Sequence, residues 1–149
     1  MKKSLKCNKG FSLVELIVVV LIMAIIAVAL APQVMKWVGH SRTSTDASTY
    51  DTVVENIQLA LADETVLADL KVAGDATYSF KMTKEKLEIP SGAPDSLKTK
   101  LGDVAGSTTW NEKVKRKDGG SDYEIELVIK DGNASVNRKT PPETDNVKQ

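Results

Sequence analysis

The chain has 149 residues, of which 42% are hydrophobic and 27% charged, and its 20 basic and 20 acidic side chains cancel. This length suits one membrane segment and one small soluble domain, and the charge balance argues against a general electrostatic grip on nucleic acid. The only cysteine is Cys7, so a disulfide cannot staple the domain.

The first ten residues form a basic leader. They contain four lysines and no acid, so the remainder has 16 basic and 20 acidic side chains, a net charge of −4. A basic flank before a membrane span favours the cytoplasmic side of the membrane. We therefore expect a mildly acidic head that faces outward.

An apolar run follows from Phe11 to Met35, interrupted only by Ser12, Glu15, Pro32 and Gln33. As a helix, this run is about 38 Å long, which is enough to cross the hydrocarbon core of a bilayer. An ionised carboxylate in such a segment costs a few kcal/mol, so Glu15 is expected to have a partner and a function.

A cleaved secretory signal and an uncleaved signal anchor are alternatives for this run. The triplets Ala27-Val28-Ala29 and Ala29-Leu30-Ala31 have the A-x-A form of a signal cleavage site. Pro32 directly follows the second triplet and should hinder cleavage there. Neither alternative explains a carboxylate at Glu15.

The stretch Gly10-Phe11-Ser12-Leu13-Val14-Glu15-Leu16 closely resembles the processing motif of type IV pilins and of the pseudopilins of type II secretion and competence systems. The resemblance covers roughly the first third of the chain and includes Pro32, where the family commonly has a helix-weakening proline. It implies that a prepilin peptidase cuts between Gly10 and Phe11 and methylates the new amine of Phe11. The lack of a head disulfide resembles Gram-positive members.

The resemblance further implies a structural subunit whose Glu15 receives the Phe11 amine of a neighbouring subunit during filament assembly, while Pro32 marks a weak point of the helix. The expected partners are the prepilin peptidase, other pilin subunits, the pilus assembly machinery of the inner membrane, and the membrane itself. The precursor would span the cytoplasmic membrane once, before it joins an extracellular pilus. A competence or type II secretion pseudopilin, and a monomeric signal-anchored binding protein, remain alternatives.

Beyond Pro32 the pattern becomes amphipathic. Trp37 and Val38 suit the outer membrane interface, and the polar stretch Ser41 to Asp46 is expected to loosen the helix or to begin a second one. Apolar residues then recur at spacings of three and four, which predicts a helix at about residues 44–73 that ends at Gly74. Its apolar stripe consists of Tyr50, Val53, Val54, Ile57, Ala60, Leu61, Leu67 and Leu70.

Strands are predicted late in the chain. Apolar residues alternate from Tyr123 to Ile129, and the turn sequences Asp118-Gly119-Gly120 and Asp131-Gly132-Asn133 flank them. Flanking segments 108–117 and 134–138 are predicted as the neighbouring strands, 77–82 as a further strand or an irregular connection, and 94–101 as a short helix. The fold class is thus α+β and pilin-like: a long N-terminal helix, first membrane-spanning and then amphipathic, packed on a small antiparallel sheet.

These predictions divide the chain into a leader at residues 1–10, a membrane and filament-core helix at 11–38, a globular head at 39–139 and a flexible tail at 140–149. We expect no enzyme, cofactor or metal. No catalytic constellation or phosphate-binding loop is present, and the carboxylates Asp118, Asp122 and Glu124 do not match an EF-hand. We interpret His40 as an interfacial histidine.

A basic patch near Trp110 is the one candidate for nucleic-acid contact. One interpretation is contact with DNA or another anionic surface, with Trp110 able to stack on a base. Because the head is acidic overall, we interpret these residues as a solvated strand and expect no nucleic-acid partner. The patch consists of Lys113, Lys115, Arg116 and Lys117.

Overall fold

A computed structural model describes residues 10–118 and 120–142 of the protein. The chain divides into two compact units, with the division after Val38. Within the described residues the helices are α1 (Leu13–Leu61), α2 (Glu64–Ala73), α3 (Asp95–Val104) and α4 (Trp110–Lys113), and the strands are β1 (Ala76–Met82), β2 (Leu87–Glu88), β3 (Tyr123–Lys130) and β4 (Asn133–Thr140). The predicted leader up to Lys9, Gly119 and the predicted tail from residue 143 lie outside the described residues.

The first unit contains the apolar part of α1. An 18-residue window of this helix reaches a mean hydropathy of 3.2 and has no buried residue, so length and composition allow it to cross a membrane. Its large apolar side chains are exposed on all sides of the helix, from Leu13 to Val38. A helix that is hydrophobic all round must be covered by lipid or by other protein.

The helix continues without a break through the polar stretch that was expected to loosen it. Threonine hydroxyls in and after this stretch donate to backbone carbonyls one turn earlier, such as Thr45 Oγ1 to Ser41 O at 2.8 Å and Thr49 Oγ1 to Thr45 O at 2.8 Å. Because these bonds keep the side-chain hydroxyls satisfied within the helix, the hydroxyls do not draw the backbone into another conformation.

The predicted helix at 44–73 is in fact two helices. α1 ends at Leu61, and Asp63 caps α2 by accepting a hydrogen bond from the Thr65 backbone N–H at 3.0 Å. The break shifts the helical phase, so Val66 and Leu70 are buried in α2 while Leu67 is only half-buried. α2 ends at Gly74, whose φ of 79° suits a glycine stop, as predicted.

The sheet of the second unit is antiparallel, in the order β2-β1-β3-β4. β3 buries its alternate side chains from Tyr123 to Ile129, which confirms the predicted alternation. Asp131 and Gly132 both have positive φ, at 50° and 74°, so the turn between β3 and β4 is of the primed type that an Asp-Gly pair favours. One cluster of buried apolar side chains joins α1, α2, α3 and this sheet.

The segment between β2 and β3 differs from the prediction. The helix expected at 94–101 is present as α3, with Pro94 at its N-cap. The strand predicted at 108–117 is wrong: α4 occupies its first part, and β1 pairs with β3 instead. The backbone N–H groups of Lys117 and Asp118 bond to the Asp46 carboxylate of α1 rather than to a neighbouring strand.

Candidate functional site

The first turn of α1 places the carboxylate of Glu15 against the start of its own helix. The Ser12 backbone N–H donates to Glu15 Oε2 at 2.9 Å, and the Leu16 N–H donates to the Ser12 carbonyl at 3.2 Å. Ser12 is therefore the N-cap and Glu15 the third helical residue, which is the backbone half of a capping box. The signal S-x-x-E is visible in the sequence, but the sequence prediction missed it.

The hydrogen bond from the Ser12 N–H stabilises the negative charge of Glu15, for which the sequence analysis identified no partner within the same chain. The carboxylate lies in the first turn, where the positive end of the helix dipole favours an anion. Among the residues that the structure describes, the second oxygen, Oε1, accepts no hydrogen bond. The carboxylate thus has one oxygen held by the helix and one oxygen free to take a donor from elsewhere.

The predicted cleavage position lies just before this cap. Gly10 and Phe11 precede the helix, and Phe11 is 88% exposed. A Cβ built on Gly10 meets no atom within 4 Å. The Gly10–Phe11 bond is therefore in a non-helical, accessible stretch of the described chain, which is the conformation that a protease needs.

Pro32 lies inside α1, which the structure shows as helical on both sides of it. A proline within a helix has no N–H to donate to the carbonyl four residues earlier, so the helix loses one backbone bond here. The residue is exposed, like its neighbours in the first unit.

A second constellation, in the head, is built around the buried carboxylate of Asp46, which is 0% exposed. It accepts from the Lys117 N–H at 2.9 and 2.8 Å and from the Asp118 N–H at 2.8 Å. These bonds join residues 71 and 72 positions apart and fasten the segment after α4 onto α1. Nothing in the local sequence around Asp46 identifies these partners.

Arg116 is the centre of the same network. Its Nη1 donates to Asp118 Oδ1 at 3.0 Å and to the Ser121 carbonyl at 2.9 Å, and its Nη2 lies 3.6 Å from Asp122 Oδ1. The guanidinium is also 5.8 Å from the centre of the Tyr123 ring, whose hydroxyl donates to Asp118. Burial raises the pKa of Tyr123 well above its usual range, and the hydrogen bond to Asp118 adds to this.

Tyr50 links this network to the sheet. Its hydroxyl donates to the Glu124 carbonyl at 2.9 Å, and its ring packs edge-on against Tyr123 with the centroids 6.3 Å apart. Burial raises the pKa of Tyr50 to about 12, against a smaller opposing effect of Arg138. Polar and aromatic contacts thus connect α1 to β3 and to the segment that precedes it.

The predicted basic patch is only partly at the surface. Trp110 and Arg116 are buried, so the less favoured interpretation, in which Trp110 stacks on a base, does not hold. The side chains of Lys113, Lys115 and Lys117 remain exposed.

The acidic residues near the patch serve as ion-pair partners. Asp118 and Asp122 pair with Arg116, and Glu124 lies 3.1 Å from Lys139 Nζ and 3.4 Å from Lys81 Nζ. The hydrogen bond from Lys139 holds the pKa of Glu124 below its usual range. His40 is an exposed residue of α1.

A chain that opens with an exposed apolar helix and continues into a head with an antiparallel sheet has the architecture of pilin-like α+β proteins. Comparison with known proteins gives two similarities. The model of the prokaryotic N-terminal methylation motif matches residues 5–31. The type IV major fimbrial protein FimA of Dichelobacter nodosus is 36% identical over 99 residues, which is 66% of this chain.

These two matches show that the chain is similar to type IV pilins, in the N-terminal methylation motif and over the aligned part of the fimbrial protein. The aligned segment spans 57% of the length of the fimbrial protein. No solved structure matches the chain.

Proposed function

We propose that this protein is a prepilin, a structural subunit rather than an enzyme, which is cleaved after Gly10, methylated on Phe11 and polymerised into a type IV pilus. The observation that carries the proposal is the first unit: its helix exposes large apolar side chains on every side, directly after the processing motif. Lipid covers such a helix in the precursor, and neighbouring helices cover it in a filament.

Glu15 has a role in the transfer of the subunit from the membrane to the filament. Cleavage after Gly10 creates an ammonium group on Phe11, four residues before Glu15. In our proposal the free oxygen of Glu15 accepts the Phe11 amine of an adjoining subunit, while the Ser12 N–H holds the other oxygen. In a low-dielectric environment this pair is much stronger than in water, and pairing offsets part of the cost of burying each charge.

Pro32 marks the position where α1 extends most easily during assembly. Because its turn already lacks one backbone hydrogen bond, the helix is easiest to extend there when subunits pack. The basic leader favours the cytoplasmic side, so the head faces outward before assembly. The prepilin peptidase and the assembly machinery of the inner membrane act on this precursor.

The similarity to a protein named as a major fimbrial subunit favours a pilus over a competence or secretion pseudopilus. The alternative from another class is a monomeric, signal-anchored binding protein. The two classes differ in the mature N-terminus, since the anchored protein keeps its leader and an assembled subunit begins at methylated Phe11.

The test combines the mass of the mature protein with filament yield. We expect a chain that starts at methylated Phe11, and we expect Glu15→Gln to be inserted and cleaved normally but to give few or no filaments. Glutamine preserves the capping bond because it occurs in the same box as glutamate, so the variant removes the charge alone. Glu55→Gln, an exposed glutamate later in α1, is the matched control and should assemble normally.

Two results would contradict the proposal. An intact leader on the membrane-extracted protein would favour the signal anchor. Filaments in normal yield from Glu15→Gln would show that the charge has no role in assembly.

A further inference from the structure

We propose that the exposed lysines 113, 115 and 117, hereafter the lysine row, form an electrostatic contact site for the phosphate backbone of duplex DNA. The proposal concerns the head and does not depend on whether the chain forms filaments. It also reverses the expectation from composition, because the neighbouring carboxylates Asp118 and Asp122 pair with Arg116 and not with these lysines.

The three lysines point away from the head because every second residue between them points inward. The side chains of Lys113, Lys115 and Lys117 are exposed, whereas Val114 is half-buried and Arg116 is buried. Val114 has extended dihedral angles, with φ −82° and ψ 101°. Lys113 is the last residue of α4, and the chain is non-helical from Val114 to Lys117. In an extended chain, residues two apart lie on one side at a repeat of about 6.7 Å, which is similar to the separation of neighbouring phosphates along a strand.

The backbone of the lysine row is held in place on its inner side. Asp46 accepts hydrogen bonds from the N–H groups of Lys117 and Asp118, and the Arg116 N–H donates to the Thr83 carbonyl at 2.8 Å. The side chain of Arg116 is anchored by Asp118 and the Ser121 carbonyl. A polyanion would therefore meet a preorganised backbone and need to order only the lysine side chains.

The surroundings of the lysine row are net positive. The bond from Arg116 to Thr83 brings the turn of residues 83–86 alongside, with the exposed side chains of Lys84 and Lys86. None of these five lysines forms an ion pair within residues 10–118 and 120–142. The exposed carboxylates in the two segments are Glu85 and Glu112, whereas Asp118 and Asp122 pair with Arg116.

The aromatic residues of the head favour duplex over single-stranded DNA. Proteins that bind single strands without sequence preference stack the bases on exposed aromatic rings. All five aromatic side chains after Val38 are buried: Tyr50, Tyr78, Phe80, Trp110 and Tyr123. What remains is a sequence-independent contact with phosphates, for which the higher charge density of a duplex is the better ligand.

The experiment measures the salt dependence of binding for the full-length mature protein in a neutral detergent, with a fluorescent 20-base-pair duplex. Each phosphate neutralised contributes about −0.9 to the slope of log K against log salt, so three lysines predict a slope near −2.7. Affinity should then fall about 40-fold between 50 and 200 mM salt. Replacing all three lysines by glutamine should reduce the slope by more than half, whereas replacing them by arginine should preserve it.

The matched control replaces three other lysines, Lys71, Lys98 and Lys130, by glutamine and changes the net charge equally. This control should bind like the unchanged protein. If it loses as much of the slope as the lysine-row variant, the binding is a general charge effect and the site is refuted. Tighter binding of the single strand than of the duplex, or equal affinity for poly-glutamate of the same charge, would overturn the assignment to duplex phosphates.

Discussion

Removal of the Asp46 carboxylate should destabilise the head more than any other single loss of charge in α1. In Asp46→Ala, the backbone N–H groups of Lys117 and Asp118 lose their acceptor, at distances now between 2.8 and 2.9 Å. Asp46 is completely buried, so water cannot replace the carboxylate unless the segment moves.

The size of the effect follows from the two donors. A hydrogen bond to a charged group contributes about 1.5 to 3 kcal/mol, so two donors give a loss of about 3 to 6 kcal/mol. This is a large share of the roughly 5 to 15 kcal/mol that stabilises a domain. At about 4 °C per kcal/mol, the melting temperature of the head should fall by about 12 to 24 °C.

The assay is thermal unfolding of the full-length mature protein in neutral detergent, followed by near-ultraviolet circular dichroism. This signal reports the packing of the buried rings of Tyr50, Trp110 and Tyr123, and it is insensitive to the helical content of the first unit. Asp46→Asn should fall between the unchanged protein and Asp46→Ala, because one amide oxygen can still accept. Asp69→Ala, which removes an exposed carboxylate from α2, serves as the control. A decrease in melting temperature of less than about 4 °C for Asp46→Ala, or one equal to that of Asp69→Ala, would show that the hydrogen bonds to Asp46 do not stabilise the head.

Two further predictions concern the same head. Because burial raises the pKa of Tyr50 to about 12, the tyrosine stays protonated in the folded state while its unfolded form ionises near pH 10. The stabilisation that comes from keeping Tyr50 protonated is complete below pH 10 and is lost as the pH rises towards 12. The melting temperature should therefore fall over that range, and it should fall less steeply in Tyr50→Phe. Equal slopes for the two proteins would contradict the raised pKa of Tyr50. Gly132→Ala should destabilise the head by about 1 to 2 kcal/mol in chemical denaturation, because φ at this turn is 74°. Gly39→Ala, at a helical position with open space, should instead stabilise the helix by up to about 1 kcal/mol, and a loss at Gly39 as large as that at Gly132 would show that the turn conformation is not the cause.

Local patterns were sufficient for much of the architecture. The processing motif and the apolar run of α1 are contiguous in the chain. A helix of this hydropathy packs against lipid or against another helix whatever the rest of the fold is. The strand from Tyr123 onwards and the turn at Asp131-Gly132 also follow from neighbouring residues, since alternation and positive φ are local properties. The class of the fold could be inferred from these elements alone.

The same local patterns failed wherever a distant residue supplied the partner. Trp110 and the lysines after it have the composition of an exposed strand. In the structure, however, the indole is buried in the core, and the Asp46 carboxylate accepts the hydrogen bond of the Lys117 backbone N–H. The end of α1 at Leu61 was missed because the apolar spacing runs on past the Asp63 cap. Each of these outcomes depends on contacts that local periodicity does not record.

Local chemistry was thus enough to specify the processing motif, the membrane-length helix and the principal strand, because each depends on residues within a few positions of one another. The tertiary structure alone decided which charges are internal. Asp46 is buried against the backbone N–H groups of Lys117 and Asp118, 71 and 72 positions away, and Arg116 is buried against Asp118, while Lys113, Lys115 and Lys117 lie at the surface. The physical reason is that burying a charge requires a partner at contact distance, and only the folded chain determines which partners come that close.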